Sequence, residues 1–129
     1  MNALDTVRLL LAILLAVVFL GMGVNHFRPA AQRTMAAMLP PRMRWRAPFD
    51  PRALVVFTGV CEVAGGIGLL VPGTRLAAGI ALAVFLVCVF PANAYAAGRR
   101  DRFGALAIPL VPRAIGQVVL IALCVFVGL

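Results

Sequence analysis

The chain alternates between four long apolar segments and shorter stretches that are rich in arginine and proline. A helix needs roughly 20 apolar residues, at about 1.5 Å each, to cross the hydrocarbon core of a bilayer. The pattern therefore predicts an all-α fold with four membrane-spanning helices at residues 4–27, 51–71, 75–97 and 106–128. Helices of similar length are typical of a four-helix bundle, so we expect residues 1–129 to form a single transmembrane domain.

Proline and aspartate mark the ends of the predicted spans. Asp50 and Pro51 are typical of a helix start, because an acidic residue caps the helix and a proline fits its first turn. Pro72 ends the same span. Pro91 lies inside the third span and leaves a carbonyl near Val87 without its helical donor, so we expect another group to donate there. The first segment lacks a small-x-small cleavage site, which favours a retained span over a signal peptide.

The first connection is long enough to contain a short helix of its own. Met35 and Met38 stand in an otherwise small and polar run that Pro40 ends. A tryptophan among arginines is typical of the lipid–water interface, where the ring lies at headgroup level. We therefore predict a short interfacial helix on the cytoplasmic face, with a lid over a cavity as the alternative interpretation. The predicted lipid-interface residues are Arg42, Arg44, Trp45 and Arg46.

Composition makes a lipid bilayer the expected partner of this chain. Hydrophobic residues make up 64% of the 129 residues, charged residues only 12%, and the mean hydropathy is +1.06. A soluble chain of this length has too little interior to bury so much apolar surface. In a soluble protein, the formal net charge of +8 would indicate nucleic-acid binding. Here the arginines lie in the connections between apolar segments, so we expect no nucleic-acid partner.

Arginine placement predicts the orientation of the four spans. Ten of the twelve arginines lie in or beside the first and third connections, whereas only Arg8 and Arg75 lie on the other side. Positive charge is concentrated in the cytoplasmic loops of membrane proteins. We therefore expect a protein integral to a bacterial-type cytoplasmic (inner) membrane. Its first and third loops would be cytoplasmic, and both termini would lie outside.

Glu62 is the one acidic residue in the interior of a predicted span. A carboxylate at the centre of a spanning helix costs roughly 2.5–3.5 kcal/mol, so such a residue is a functional-site hypothesis. Glu62 lies eleven residues after Pro51, or about 16 Å along the helix, which is near the bilayer midplane. Thr58 lies one turn nearer the cytoplasm on the same helical face.

Every predicted span brings a polar side chain toward the cytoplasmic half, and together they predict a polar pocket that binds a ligand or relays a proton. The pocket residues are Asn25, His26, Thr58, Glu62, Asn93 and Gln117. His26 is the expected chemical partner of Glu62, and Arg113 is its expected charge partner. Whether His26 touches Glu62 stays open, because the helical rise places them at different depths and a water, Thr58 or a ligand can bridge them. For Thr58, Asn93 and Gln117 the alternative is hydrogen bonding between helices, and for His26 it is an interfacial position without a special contact.

The sequence contains no independent catalytic motif. Cys61, Cys88 and Cys124 lie separately inside apolar segments without CxxC spacing, so we expect neither a disulfide framework nor a metal site. No glycine-rich phosphate or dinucleotide motif follows a strand pattern. We therefore expect any catalytic role to be that of a subunit.

Several segments occur in the order and spacing of a known membrane family. They are Gly-Val-Asn-His-Phe-x-Pro at 23–29, Met-Leu-Pro-Pro at 38–41, Thr-Gly-Val-Cys-Glu-Val-Ala-Gly-Gly at 58–66, Phe-Pro-Ala-Asn-Ala-Tyr at 90–95, and Gln117. With these the whole chain resembles the DoxX and DoxX-like family of small four-helix membrane proteins. The resemblance implies a four-helix bundle, a membrane location and a redox-associated role. Some relatives are named for membrane partners of thiosulfate:quinone oxidation, which makes a quinone one candidate ligand, and the sequence itself shows no cofactor motif. Relatives that act through thiols would need a cysteine pair, which the spacing here does not provide.

Three functions follow as hypotheses. The first is an accessory protein or oxidoreductase subunit of a quinone-linked redox system, in which the pocket holds the quinone headgroup or relays a proton to it. The second is a non-catalytic scaffold or chaperone-like assembly factor that packs against another membrane protein or a second copy of itself. The third is a small proton-coupled carrier, which four spans without an internal repeat favour less.

Overall fold

The computed structural model describes residues 2–38, 51–97, 99, 103 and 108–129, and over these residues its regular elements are helices, without a strand. The helices are α1 (Ala3–Asn25), α2 (Pro29–Ala37), α3 (Pro51–Leu70), α4 (Arg75–Ala96) and α5 (Leu110–Gly128). All of them except α2 are long and apolar enough to cross a membrane. The predicted all-α class, the four long apolar helices and a short helix in the first connection are thus confirmed.

The helix ends follow from residues close in sequence. The Asn2 side chain accepts a hydrogen bond from the N–H of Asp5 at 2.8 Å and so caps α1. α1 ends at Asn25, slightly before the predicted boundary, and Pro29 then begins α2 because a proline fits the first turn of a helix. α5 begins at Leu110, later than the predicted residue 106.

The turn between α3 and α4 satisfies carbonyls that the end of α3 leaves without a helical donor. The Thr74 hydroxyl donates to the Gly68 carbonyl at 2.9 Å, and Nε of Arg75 donates to the Leu69 carbonyl at 2.8 Å. The last turn of a helix needs such external donors. Because the turn is short and Gly68 lies against Ala78, α3 and α4 run antiparallel.

Two closely packed helix pairs form the bundle. α1 packs mainly against α3, α4 packs mainly against α5, and contacts of α3 with α4 and of α1 with α5 join the pairs. A buried apolar core lies toward the end of the bundle that carries the termini. Its members are Ala12, Leu15, Ala16 and Phe19 of α1, Leu69 of α3, Ala78, Leu82 and Leu86 of α4, and Cys124 and Val127 of α5. Toward the other end, the α1–α3 pair buries His26 and Glu62 instead.

α2 lies against the bundle at the end opposite the termini. It packs against α3, and Nη2 of Arg52 donates to Oε1 of Gln32 at 3.3 Å. Met38, which follows α2, is buried in a second apolar cluster with Ala96 and Phe103. Protein contacts therefore hold the short helix in place. The predicted lipid-interface residues Arg42, Arg44, Trp45 and Arg46 lie outside the described residues.

The outward faces of the long helices are apolar. Large hydrophobic side chains on them are more than half exposed, among them Leu14, Val17, Phe57, Val84 and Val118. Apolar surface of this extent on a small protein marks contact with lipid or with other proteins. It is the surface that a bilayer would cover.

Candidate functional site

The imidazole of His26 is held against the first turns of α3. Its Nδ1 lies 3.0 Å from the Val55 carbonyl oxygen and 3.0 Å from Oγ1 of Thr58. The Thr58 hydroxyl itself donates to the same carbonyl at 2.8 Å. Three hydrogen-bonding groups therefore meet at this position, and they fix the location and the rotation of the ring.

The other ring nitrogen of His26 faces Glu62. Nε2 lies 3.7 Å from Oε2 of Glu62, which is beyond hydrogen-bond length but within reach of an ion pair. His26 and Glu62 are only 8% and 6% exposed. Oε2 is buried and accepts no hydrogen bond from the residues that the structure describes. Leaving a buried acceptor unpaired costs about 1–3 kcal/mol, and more for a charged group.

Two glycines make room for this pair. A Cβ on Gly59 would lie 2.7 Å from Cβ of His26, closer than such atoms approach in proteins. A Cβ on Gly23 would lie 2.9 Å from the Gly59 carbonyl oxygen. The backbones of α1 and α3 thus approach closely at the level of the pair, as small residues permit. Neither glycine was expected as part of the site, although Gly59 directly follows Thr58 and Gly23 lies one turn before His26.

His26 and Glu62 are neighbours in the structure. The depth of each residue along its helix did not decide whether they touch. The helical rise predicts His26 at the end of its span and Glu62 near the midplane. In the structure α3 starts beyond the end of α1, so His26 lies beside Val55 and not beside Pro51. The imidazole then covers the remaining distance toward Glu62. The two side chains form a direct pair without a hydrogen bond between them.

Gln117 and Asn93, predicted for the same pocket, lie on the other helix pair. Nε2 of Gln117 donates to the Leu86 carbonyl at 2.5 Å and so joins α5 to α4. Pro91 leaves the Val87 carbonyl without a helical donor, and Gln117 reaches the carbonyl next to it. Asn93 is half-buried in α4, and its side chain forms no hydrogen bond with another described residue.

Asn25 and Arg113 make local contacts at the end of the bundle that carries α2. Oδ1 of Asn25 accepts a hydrogen bond from Nη1 of Arg28 at 3.2 Å. Nε of Arg113 donates to the Ile108 carbonyl at 3.3 Å, close to the start of α5. The ion-pair contact described for Glu62 is with His26. The predicted pocket residues that the structure brings together are His26, Thr58 and Glu62.

A groove of about 840 Å³ runs between α3 and α4, and Glu62 does not line it. Its wall is apolar and includes small residues such as Ala64 and Gly68. Cys61 and Cys88 both line this groove as free thiols, although their sequence spacing gave no sign of a common location. Within the described ranges, no three histidine, cysteine or acidic side chains come together in a way that could hold a metal ion.

Comparison with known proteins places the chain in a family. No curated protein matches the sequence, and no solved structure matches it either. A family model described as a domain of unknown function (DUF8561) matches residues 15–128, which include His26, Thr58 and Glu62. The match covers most of the chain, so this protein belongs to the DUF8561 family.

Proposed function

We propose that this protein is integral to a bacterial-type inner membrane and is an accessory or membrane subunit of a quinone-linked redox system. The observation that carries the proposal is the buried pair of His26 and Glu62, whose Oε2 has no donor among the described residues. The resemblance to DoxX-like proteins supports the same role. The proposed ligand of the pair is a quinone headgroup.

Two features support the membrane location and its orientation. Four helices are long and apolar enough to cross a bilayer, and their outward faces are apolar. Exposed arginines lie at the end of the bundle that carries α2, namely Arg28, Arg33, Arg52 and Arg99. Because positive charge is concentrated on the cytoplasmic side, this end faces the cytoplasm and both termini lie outside.

The chemistry of the pair suits a quinone oxygen. A quinone carbonyl needs a hydrogen-bond donor, and its reduction takes up protons together with electrons. Imidazole and carboxyl groups are among the side chains that most often transfer protons in proteins. A lone charge is costly in a membrane interior, whereas a histidine and a glutamate together can hold a proton without net charge. The electrons come from the partner enzyme, for which this chain is the membrane subunit.

Thermal unfolding in lipid nanodiscs tests this function. Soluble analogues of ubiquinone and menaquinone should stabilise the wild type, by about 2.7 kcal/mol at a ligand concentration of roughly 100 times Kd. Glu62→Gln and His26→Ala should lose this stabilisation. Gln117→Met, on the other helix pair, is the matched control and should keep it. Equal stabilisation of the wild type and both pair variants would contradict the proposal.

A second candidate function is a non-catalytic scaffold or assembly factor, which two outward glycines favour. A Cβ on Gly21 or Gly116 would meet no atom within 4 Å, so packing among the described residues does not require glycine there. Glycine in a helix costs about 1 kcal/mol relative to alanine. Outward glycines allow close approach of a helix from another membrane protein or from a second copy. Gly65 and Gly66, by contrast, pack against side chains of this chain.

Substitutions at the outward glycines separate the two candidate functions. A scaffold should lose a partner that co-purifies from native membranes when Gly21 or Gly116 is changed to leucine. The purified chain should not lose stability, because a side chain at either position meets no atom of this chain. Its response to quinones should not change. Retention of every partner by both variants would count against the scaffold function.

A further inference from the structure

The contacts of His26 decide which ring nitrogen carries a proton. The Val55 carbonyl oxygen can only accept a hydrogen bond, and it lies 3.0 Å from Nδ1. The Thr58 hydroxyl donates its proton to the same carbonyl and therefore presents a lone pair to Nδ1, also at 3.0 Å. A bare Nδ1 would face two lone pairs. Both neighbours thus require a proton on Nδ1.

The proton on Nδ1 determines what Nε2 presents to Glu62. In a neutral imidazole only one nitrogen carries a proton, so Nε2 then presents a lone pair. An ionised Glu62 would place a second acceptor 3.7 Å away, in a buried position without a donor among the described residues. Two buried acceptors that face each other are unfavourable. One further proton, held by Nε2 or by Oε2, removes the conflict.

That further proton can reside on either side chain with the same total charge. On Nε2 it gives an imidazolium beside a carboxylate, and on Oε2 it gives a carboxylic acid beside a neutral imidazole. The pair has zero net charge in both forms, which limits the cost of placing it in a low-dielectric interior. The described residues bring no second ionisable side chain into ion-pair contact with Glu62.

We propose that His26 and Glu62 form a site that binds one shared proton, and that Thr58 is the positioning residue that orients the imidazole for sharing. The inference deepens the proposed function and rests on it for the destination of the proton, which is a ligand oxygen. In that step the bond from the proton to Nε2 or Oε2 breaks and a bond to the ligand oxygen forms. The pair then keeps one negative charge until it takes up a proton again. Thr58 acts only through His26.

The composition of the chain makes this site directly observable. The sequence contains a single histidine and a single glutamate, which are His26 and Glu62. Isotope-labelled histidine and glutamate, introduced by cell-free synthesis, therefore report on these two residues alone once the purification tag is removed. Solid-state NMR of the ligand-free protein in bilayers should show a protonated Nδ1. The Nε2 signal should be displaced from that of a bare nitrogen by the shared proton.

Conservative variants separate the roles of Glu62 and Thr58, the two side chains beside the imidazole. Glu62→Gln keeps the shape of the side chain but has no acidic proton to share, and it should move the Nε2 signal toward that of a bare nitrogen. Thr58→Val keeps the shape without the hydroxyl, so only the Val55 carbonyl still positions the ring, and the His26 signals should shift and broaden. Thr58→Ser restores the hydroxyl and should restore the wild-type spectrum. Gln117→Met should leave every His26 signal unchanged.

A wild-type spectrum with an unprotonated Nδ1 would overturn the proposal, as would an Nε2 signal that does not respond to Glu62→Gln. If a variant fails to fold, the nitrogen and carboxyl signals of the wild type still decide whether a proton is shared. The measurement needs no ligand. A shared proton with a failed quinone titration would therefore contradict the proposed function alone, and quinone binding without a shared proton would contradict this inference alone.

Discussion

Both helix pairs of this bundle contain polar contacts, and the contact made by Gln117 is complete whereas the contact between His26 and Glu62 is not. Between α4 and α5, Nε2 of Gln117 donates to the Leu86 carbonyl at 2.5 Å. Between α1 and α3, His26 and Glu62 face each other at 3.7 Å, and Oε2 has no donor among the described residues. Gln117 and Glu62 both lie in helices long and apolar enough to cross a membrane. Within such helices, the two contacts differ in whether their hydrogen bonding is complete.

This difference separates a structural polar residue from a candidate functional one. A hydrogen bond between membrane helices stabilises by about 0.6 kcal/mol on average, which is sufficient reason for Gln117. A buried acceptor without a donor instead lowers stability. Ionisable groups inside membrane helices are costly, and they are kept where they have a function. Glu62 is of this second kind, and this is why it is the centre of the proposed function.

The largest expected change in stability is at the glycines. Each helix pair has one glycine at which the two helix backbones approach closely. A Cβ on Gly79 would collide with the carbonyl of Cys124, and a Cβ on Gly59 would lie 2.7 Å from Cβ of His26. Overpacking of this kind costs about 1–3 kcal/mol. Gly79→Ala and Gly59→Ala should therefore both destabilise the protein. Gly79→Ala should do so more, because a backbone carbonyl moves aside less easily than a side chain. Unfolding by SDS titration, followed by circular dichroism, measures both.

Gly116→Ala is the matched control for these two substitutions. A Cβ at Gly116 meets nothing within 4 Å. The higher helix propensity of alanine should therefore stabilise the chain, by up to about 1 kcal/mol. Opposite signs at Gly59 and Gly116 would support the described packing of α1 against α3. Stabilisation by both substitutions would show that Gly59 does not form a close helix contact.

The sequence predicts the helices better than it predicts their partners. Four long helices follow from the length of the apolar segments, because the thickness of a bilayer sets that length. Depth along each helix follows from the helical rise, but the face that meets each neighbour does not. The depth estimates therefore predict Gln117 in one pocket with Glu62. In the structure the Gln117 side chain instead donates a hydrogen bond to the Leu86 carbonyl. Hydrophobic periodicity cannot correct this, since nearly every position in these segments is apolar.

The candidate site is likewise only partly visible in the sequence. His26, Thr58 and Glu62 stand out because polar side chains are costly in apolar segments. The Val55 carbonyl does not stand out, since every residue has a carbonyl and only the fold selects this one. The role of Gly59 is hidden for the same reason, because its meaning depends on which helix lies against it.

A smaller change in stability is expected at the hydrogen bond from Gln117 to the Leu86 carbonyl. Gln117→Met keeps the length of the side chain and removes the hydrogen bond to Leu86. The free energy of unfolding should fall by about 0.6 kcal/mol and by no more than about 1.7 kcal/mol, the average and the maximum for hydrogen bonds between membrane helices. The same SDS titration measures this loss. The quinone response should not change, and a variant that lost it would place Gln117 in the functional site.

The smallest expected change in stability is at Glu62, and its sign tests the contrast between the two helix pairs most directly. In Glu62→Gln the acidic proton is lost, but the new amide nitrogen can donate to Nε2 of His26 in its place. The free energy of unfolding should therefore stay the same or rise by up to about 1 kcal/mol, whereas the equally conservative Gln117→Met lowers it. Side-by-side titration of both variants in one detergent mixture measures the two signs. If Glu62→Gln instead lowered the free energy of unfolding by more than about 1 kcal/mol, His26 and Glu62 would be a buried ion pair that stabilises the fold. The lack of a donor to Oε2 of Glu62 would then no longer distinguish the α1–α3 pair from the α4–α5 pair.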